Sequence, residues 1–118
     1  MAVRRLTALA CAAGLALAWA ATLQPAPAAA ACFEDGVGCT DDQYIPSAAL
    51  QRLSCQNLWT VRNTIFDENG YCFATARAKS VFSNDDCYVS KQASVRLNNY
   101  ERSNVAKIVK IEKARGCD

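Results

Sequence analysis

Histidine is absent from all 118 residues. Its absence removes the usual Ser-His-Asp and Cys-His nucleophilic centres and the imidazole ligand of most zinc sites. No Cys-x-x-Cys occurs either: the closest cysteines are seven residues apart, so the thiol pair of a disulfide oxidoreductase has no place here. Charge of one sign is also missing. Lys and Arg number 13 against 11 Asp and Glu, and Arg4 and Arg5 account for that excess, so the rest of the chain is formally neutral. A basic stripe for nucleic acid or an anionic membrane surface is therefore not expected. The alternating charges from Glu101 to Arg115 read as a solvated helix face. A second linker rich in Pro, Gly or Ser is lacking too, which leaves one core.

What is present begins with an export signal. Arg4 and Arg5 form a positive start, Leu6 to Ala20 an uncharged Ala/Leu-rich run, and Ala28 to Ala31 a small-residue cleavage region. The apolar run of about 15 residues falls short of the roughly 20 that a spanning helix needs, so residues 1–31 are expected to leave as a signal peptide without a membrane span remaining. Cys11 leaves with them. Six cysteines then remain, Cys32, Cys39, Cys55, Cys72, Cys87 and Cys117. An even count in a short exported chain predicts three disulfides, with 15 connectivities open, and an oxidising compartment, periplasmic or secreted. Short loops close most easily and the remaining pair would join the main helices. Cys32 with Cys39, Cys72 with Cys87 and Cys55 with Cys117 is accordingly the expected pairing. The alternative for Cys32 is lipidation after Ala29-Ala30-Ala31, which would strand one thiol of the other five.

The expected fold is mainly α: a small disulfide-stapled bundle of about three helices behind an irregular N-terminal arm. The arm is 32–46, containing Gly36, Gly38 and Pro46 but no apolar period. The domain proper is 47–118. Pro46-Ser47 opens a short helical turn, and Ser54 caps a longer helix in which Cys55, Leu58, Arg62 and Ile65 share a side. Gly70 stops that helix. Ala74 to Phe82 is rich in helix formers and predicts about two turns. A last helix starts at Asn98, with Glu101 in capping-box position, and runs to Gly116. The expected core is Leu58, Trp59, Ile65, Phe66, Phe73, Phe82, Ile108 and Ile111. A domain this small needs its staples, which contribute about 2–4 kcal/mol each.

Few residues carry chemistry. Asp67 with Glu68, and Asp85 with Asp86, are the available carboxylates. Neighbours on a helix point about 100° apart, so an acid and base pair would have to take one residue from each cluster. The acidic turn lacks the alternating oxygen ligands of an EF-hand loop, and no metal or cofactor is expected. Arg62 sits at a core-facing position, where a guanidinium must be paired, with Glu101 or Glu112 as internal partners or a ligand carboxylate as an external one. Trp59, Phe66, Tyr71, Phe73 and Tyr100 could stack on sugar rings, although aromatics at helical spacing in so small a domain suit a core.

These residues also carry a resemblance. Leu58-Trp59-Thr60-Val61-Arg62-Asn63-Thr64-Ile65-Phe66 followed by Gly70-Tyr71-Cys72-Phe73 resembles the YARHG domain, a small exported bacterial domain, over about residues 47–113. Where that family reads Tyr-Ala-Arg-His-Gly, this chain reads Phe66-Asp67-Glu68-Asn69-Gly70. Ser54-Cys55, Leu58-Trp59 and the run Phe82 to Cys87 resemble its cysteine-rich members. The resemblance implies an extracellular or envelope role near the cell wall and carries over no catalytic residues. The resulting expectation is a non-catalytic binding module for a cell-wall or extracellular component such as peptidoglycan, with Arg62, Asn63 and Tyr71 as ligand-binding candidates. Two alternatives stay open: a small carboxylate-dependent glycan hydrolase, and a secreted inhibitor or effector acting on another protein.

Overall fold

A computed structural model describes residues 32–33 and 36–117; the expected signal peptide, 1–31, lies outside the described residues. Two helices dominate. Helix α2 (Cys55–Glu68) starts where the Ser54 hydroxyl accepts from the Asn57 amide at 3.1 Å, which satisfies one of the orphan donors of the first turn. Helix α4 (Asn99–Arg115) starts with the full capping box: Asn98 Oδ1 accepts from the Glu101 amide at 2.9 Å and Glu101 Oε2 from the Asn98 amide at 2.8 Å. Both helices end alike. Gly70 and Gly116 take positive φ, 82° and 66°. The amide after each glycine reaches back five residues, Tyr71 to the Phe66 carbonyl and Cys117 to that of Glu112. This is the Schellman arrangement, in which the glycine takes a left-handed conformation that a β-carbon would strain. Each stop is followed at once by a cysteine-bearing strap.

Shorter elements complete the mainly α domain. The pair β1 (Cys32–Phe33) and β2 (Gly38–Cys39) runs antiparallel, with Cys32 opposite Cys39. Helix α1 (Ser47–Gln51) buries Ala49 and Leu50. Helix α3 spans only Ala76–Lys79, shorter than the two turns expected from Ala74 to Phe82. The physical reason lies in Asn84, whose side chain accepts from the Phe73 amide and donates to the Phe73 carbonyl, both at 2.9 Å. That clamp brings residue 84 back onto residue 73 and leaves no room for a longer helix. A 3-10 turn at Gln92–Ser94 precedes α4.

The core forms on two sides of α2. Leu58, Val61 and Ile65 pack with Val37, Ile45, Leu50, Leu53 and Ile108. Trp59 and Phe66, seven residues apart on the same helix, pack with Phe73, Ala78 and Phe82. Every expected core residue is buried except Ile111, which is partly buried. The arm contributes more than its irregular sequence suggested, since Val37, Thr40 and Ile45 are all interior. Asn104 on α4 explains how: wholly buried, its Oδ1 accepts from the Ile45 amide at 2.9 Å and its Nδ2 donates to the carbonyls of Thr40 and Gln43 at 3.0 and 2.8 Å. An unperiodic segment is held by side-chain bonds to its backbone rather than by a ladder of its own.

Three disulfides staple this arrangement, Cys32 to Cys39, Cys55 to Cys117 and Cys72 to Cys87. They are the three expected. Among the described residues no helix is long and apolar enough to cross a membrane.

Candidate functional site

Arg62, Asn63 and Tyr71 line one cleft. Its volume is about 190 Å³, and Trp59, Phe73, Thr75 and Gln92 complete most of its wall. Helix α2 presents Arg62 and Asn63 on adjacent positions, while the Schellman turn at Gly70 folds Tyr71 back against the same helix. Tyr71 stays there because its ring meets Phe66 and Phe73 edge-on, at centroid distances of 6.0 and 4.8 Å. These T-shaped pairs suit the aromatic quadrupole. Gln92 comes from the 3-10 turn and also lines a neighbouring cleft of about 320 Å³ over Phe66, Val105 and Val109, which it shares with Arg62. The two hollows thus adjoin at Arg62 and Gln92.

Internal contacts engage much of the polar capacity at this site. The Arg62 guanidinium grips Glu112 with two bonds, Nε to Oε2 at 2.8 Å and Nη2 to Oε1 at 3.3 Å. The pairing answers the requirement that a core-facing arginine be neutralised, and it ties α2 to α4. Both bonds run through Nε and Nη2, which leaves Nη1 outside the pair. Asn63 is buried and donates its Nδ2 to the Trp59 carbonyl at 2.8 Å. Its side-chain oxygen and second N–H lie outside that bond.

The aromatic candidates separate cleanly. Trp59, Phe66 and Phe73 are core, with Phe73 stacked on Phe82 at 4.8 Å and the Arg77 guanidinium 4.1 Å over the Trp59 ring. Tyr71 is half-buried. Tyr100 is exposed and lies against exposed Tyr44, 4.6 Å away, far from the cleft in sequence and not among its lining residues.

A third hollow, about 290 Å³, separates the end of α2 from the Ser83–Tyr88 segment and is lined by Asp67, Glu68 and Asp86. Both carboxylates of the first acidic cluster and one of the second therefore reach the same space; Asp85 does not line it. Burial pushes the Asp67 carboxyl above its ordinary value. Among the described residues no set of three potential ligands converges closely enough to hold a metal ion.

The model of the YARHG domain matches residues 37–113, roughly two thirds of the chain. The chain belongs to this family. No curated protein and no solved structure gives a significant match. In this YARHG domain the matched segment begins at Val37, inside the arm, in agreement with the burial of Val37, Thr40 and Ile45. Phe66 to Gly70, the stretch that resembles the eponymous motif, falls on the end of α2, where Phe66 is core, Asn69 caps the helix and Gly70 supplies its left-handed stop. Asn69 Nδ2 donates to the Ile65 carbonyl at 2.7 Å and to Glu101 Oε1 at 3.0 Å. The motif is thereby bolted to the start of α4.

Sequence reasoning anticipated Glu101 and Glu112 as possible partners of Arg62 but missed Asn104 and the continuous buried face that joins them on α4. Glu101, Asn104, Ile108 and Glu112 recur at helical spacing and all four are buried, so the charge run is only partly a solvated face. Each buried polar group has its partner: Glu101 with Asn69, Asn104 with the arm, Glu112 with Arg62. Their three-and-four spacing was the available signal, hidden because the residues at those positions are not apolar. Gln92 carried no signal, as its place on the cleft depends on the path of the preceding loop.

Proposed function

We propose that this YARHG domain is an exported binding module of the bacterial envelope or its surroundings, acting without catalysis and taking peptidoglycan as its ligand through the cleft at Arg62, Asn63 and Tyr71. The observation that carries the reading is the convergence of those three side chains, from two separate segments, on a single hollow. Nη1 of Arg62, the amide of Asn63 and the phenol of Tyr71 supply donors and an acceptor to a polar ligand group, and Phe73 and Trp59 give the wall its apolar part. Export and a periplasmic or extracellular location are supported by three disulfides in a domain too small to dispense with them. The Cys32 sulfur is bonded to Cys39. A thioether-linked lipid would need that same sulfur, so the disulfide favours a product that is not lipid-anchored.

Co-sedimentation with purified sacculi tests the reading. The oxidised protein is expected in the pellet, and Tyr71→Phe together with Gln92→Ala should return it to the supernatant without lowering its melting temperature. Retention of the wild-type protein in the supernatant would remove the peptidoglycan assignment.

The acidic hollow favours a second reading, a small glycan hydrolase. Asp67, held protonated more readily by burial, would serve as the acid and Asp86 as the base or nucleophile. Asp67→Asn and Asp86→Asn should each abolish release of reducing ends from a glycan that the wild-type protein cleaves. Undiminished release by either variant excludes this reading.

A further inference from the structure

Asn69 precedes Gly70, and an asparagine followed by glycine is chemically the weakest link a backbone offers, because glycine leaves the attacking amide nitrogen unshielded. In deamidation the Gly70 nitrogen attacks Asn69 Cγ, a C–N bond forms, the Cγ–Nδ2 bond breaks and ammonia leaves with the Gly70 proton. Water then opens the succinimide. Opening at Cγ gives aspartate, and opening at the main-chain carbonyl gives isoaspartate.

The fold opposes the ring closure on which this chemistry depends. Nδ2 of Asn69 is held by the Ile65 carbonyl at 2.7 Å and Glu101 Oε1 at 3.0 Å. The Gly70 nitrogen is itself engaged, donating to the Asp67 carbonyl at 3.0 Å. The Gly70 carbonyl accepts from the amides of Tyr88 and Val89, both at 2.9 Å, and the Cys72–Cys87 disulfide closes the same two straps two residues further on. Ring closure requires Asn69 Cγ to swing onto a nitrogen that is bonded elsewhere, within a turn pinned at both ends.

We propose that Asn69 is a modification site gated by folding: protected while the Gly70 turn is closed, deamidated when it is open, and unable to rejoin the fold once modified. The irreversibility comes from Glu101. Asn69 presents N–H donors to two acceptors, the Ile65 carbonyl and the Glu101 carboxyl group. Aspartate at this position puts a third acceptor against them, and because Glu101 is buried and Asn69 half-buried, the clash is only partly relieved by water. Isoaspartate adds a backbone atom inside the Schellman turn and breaks its hydrogen-bond register. A chain that fails to acquire the Cys72–Cys87 bond therefore carries a chemical clock, and the clock runs against its later folding. This inference does not depend on any ligand of the cleft.

The oxidised protein and the same protein reduced and unfolded in guanidinium are incubated side by side in mildly alkaline buffer. The single-dalton mass gain is then followed on the peptide containing Asn69, with Asn57, Asn63, Asn84 and Asn104 as internal references. Loss of the two Nδ2 bonds and the Gly70 bond must precede reaction, so modification of Asn69 in the folded protein is expected to be at least about tenfold slower. The oxidised Cys72→Ser/Cys87→Ser variant should fall between the two. Equal rates in folded and unfolded protein overturn the gating, and a parental rate in the double serine variant overturns the part assigned to the disulfide. Asn69→Asp mimics the product. It is expected to melt well below the parent or to fail to fold, and Asn69→Asp/Glu101→Gln, which restores an N–H donor while keeping the capping box, should recover a folded protein. Parental stability of Asn69→Asp, or no recovery on adding Glu101→Gln, overturns the role of Glu101.

Discussion

Arg62 is paired in the interior and also lines the cleft, and energetics decide how much of the fold rests on the pair. Its side chain is 21% exposed and that of Glu112 11%, so the pair is mostly desolvated. Removing one partner of a buried pair costs about 3–5 kcal/mol because the other charge is stranded, whereas replacing both with apolar side chains is close to neutral. With residual water contact the single variants Arg62→Met and Glu112→Leu should each lose about 2–3 kcal/mol in denaturant titration, just below that range. The double variant should return to within about 1 kcal/mol of the parent. Additive losses would mean that the two side chains do not depend on each other. If the double variant folds but no longer pellets with sacculi, the guanidinium serves the ligand as well as the fold.

Asp67 offers a test of opposite sign. Burial raises its carboxyl from the ordinary 3.8, so across the interval above that value the folded state binds more protons than the unfolded one. Stability then falls as pH rises through the interval, and at neutral pH the charged side chain is a cost to the fold. Asp67→Asn should therefore raise the melting temperature at neutral pH, and the gain should vanish below the ordinary carboxylate range, where both states are protonated. A variant less stable than the parent at neutral pH would show that the charged form makes a contact worth more than its desolvation.

Among the elements, α4 is organised by hydrogen bonds as much as by apolar contact. Asn104 alone serves three backbone groups of the arm. Asn104→Ala leaves the Ile45 amide and the Thr40 and Gln43 carbonyls without this partner, the first two in the interior. Each unsatisfied buried group costs about 1–3 kcal/mol, discounted here because a loosened arm can admit solvent, so a loss of about 2–4 kcal/mol is expected. Hydrogen exchange should show the Ile45 amide losing protection before the amides of α2 do. Uniform loss across the molecule would mean that the arm is not a separately held element. The contrast with α2 shows what a sequence reveals. Ser54, Asn98 with Glu101, Gly70 and Gly116 act on neighbours within a few residues, so the limits of both long helices were legible, as was the spread of Leu58, Trp59, Ile65 and Phe66 over the core. The burial of Val37 and Ile45 was not, since it depends on a side chain about sixty residues away. The short α3 was misjudged because its composition favours helix, and the Asn84 clamp that ends it is a contact across eleven residues. Beside the cleft, Arg62 was legible as a core-facing charge in need of a partner, and its meeting with Glu112 was one of two options.

For the molecule as a whole, the question is how much of the fold each disulfide underwrites. In the chain-entropy picture a crosslink stabilises by restricting the unfolded state, more so the longer the loop it closes. The Cys55–Cys117 bond spans 62 residues, Cys72–Cys87 spans 15 and Cys32–Cys39 spans 7. The corresponding contributions are about 4.3, 3.0 and 2.4 kcal/mol. Position reinforces the order. Cys55 opens α2 and Cys117 follows α4, so that bond joins the two helices that carry the core. Cys32–Cys39 closes only the hairpin, and the arm behind it keeps the three bonds to Asn104 when the disulfide is gone. Pairwise Cys→Ala variants should therefore lose melting temperature in the order Cys55/Cys117, then Cys72/Cys87, then Cys32/Cys39, with the first at risk of not folding. The Cys32/Cys39 variant should keep its α2 and α4 amides protected from exchange and should still pellet with sacculi if the wild-type protein does, because the cleft at Arg62 lies on elements the hairpin does not close. A larger loss from Cys32/Cys39 than from Cys55/Cys117 would place the stabilising effect in the folded state rather than in the entropy of the unfolded chain.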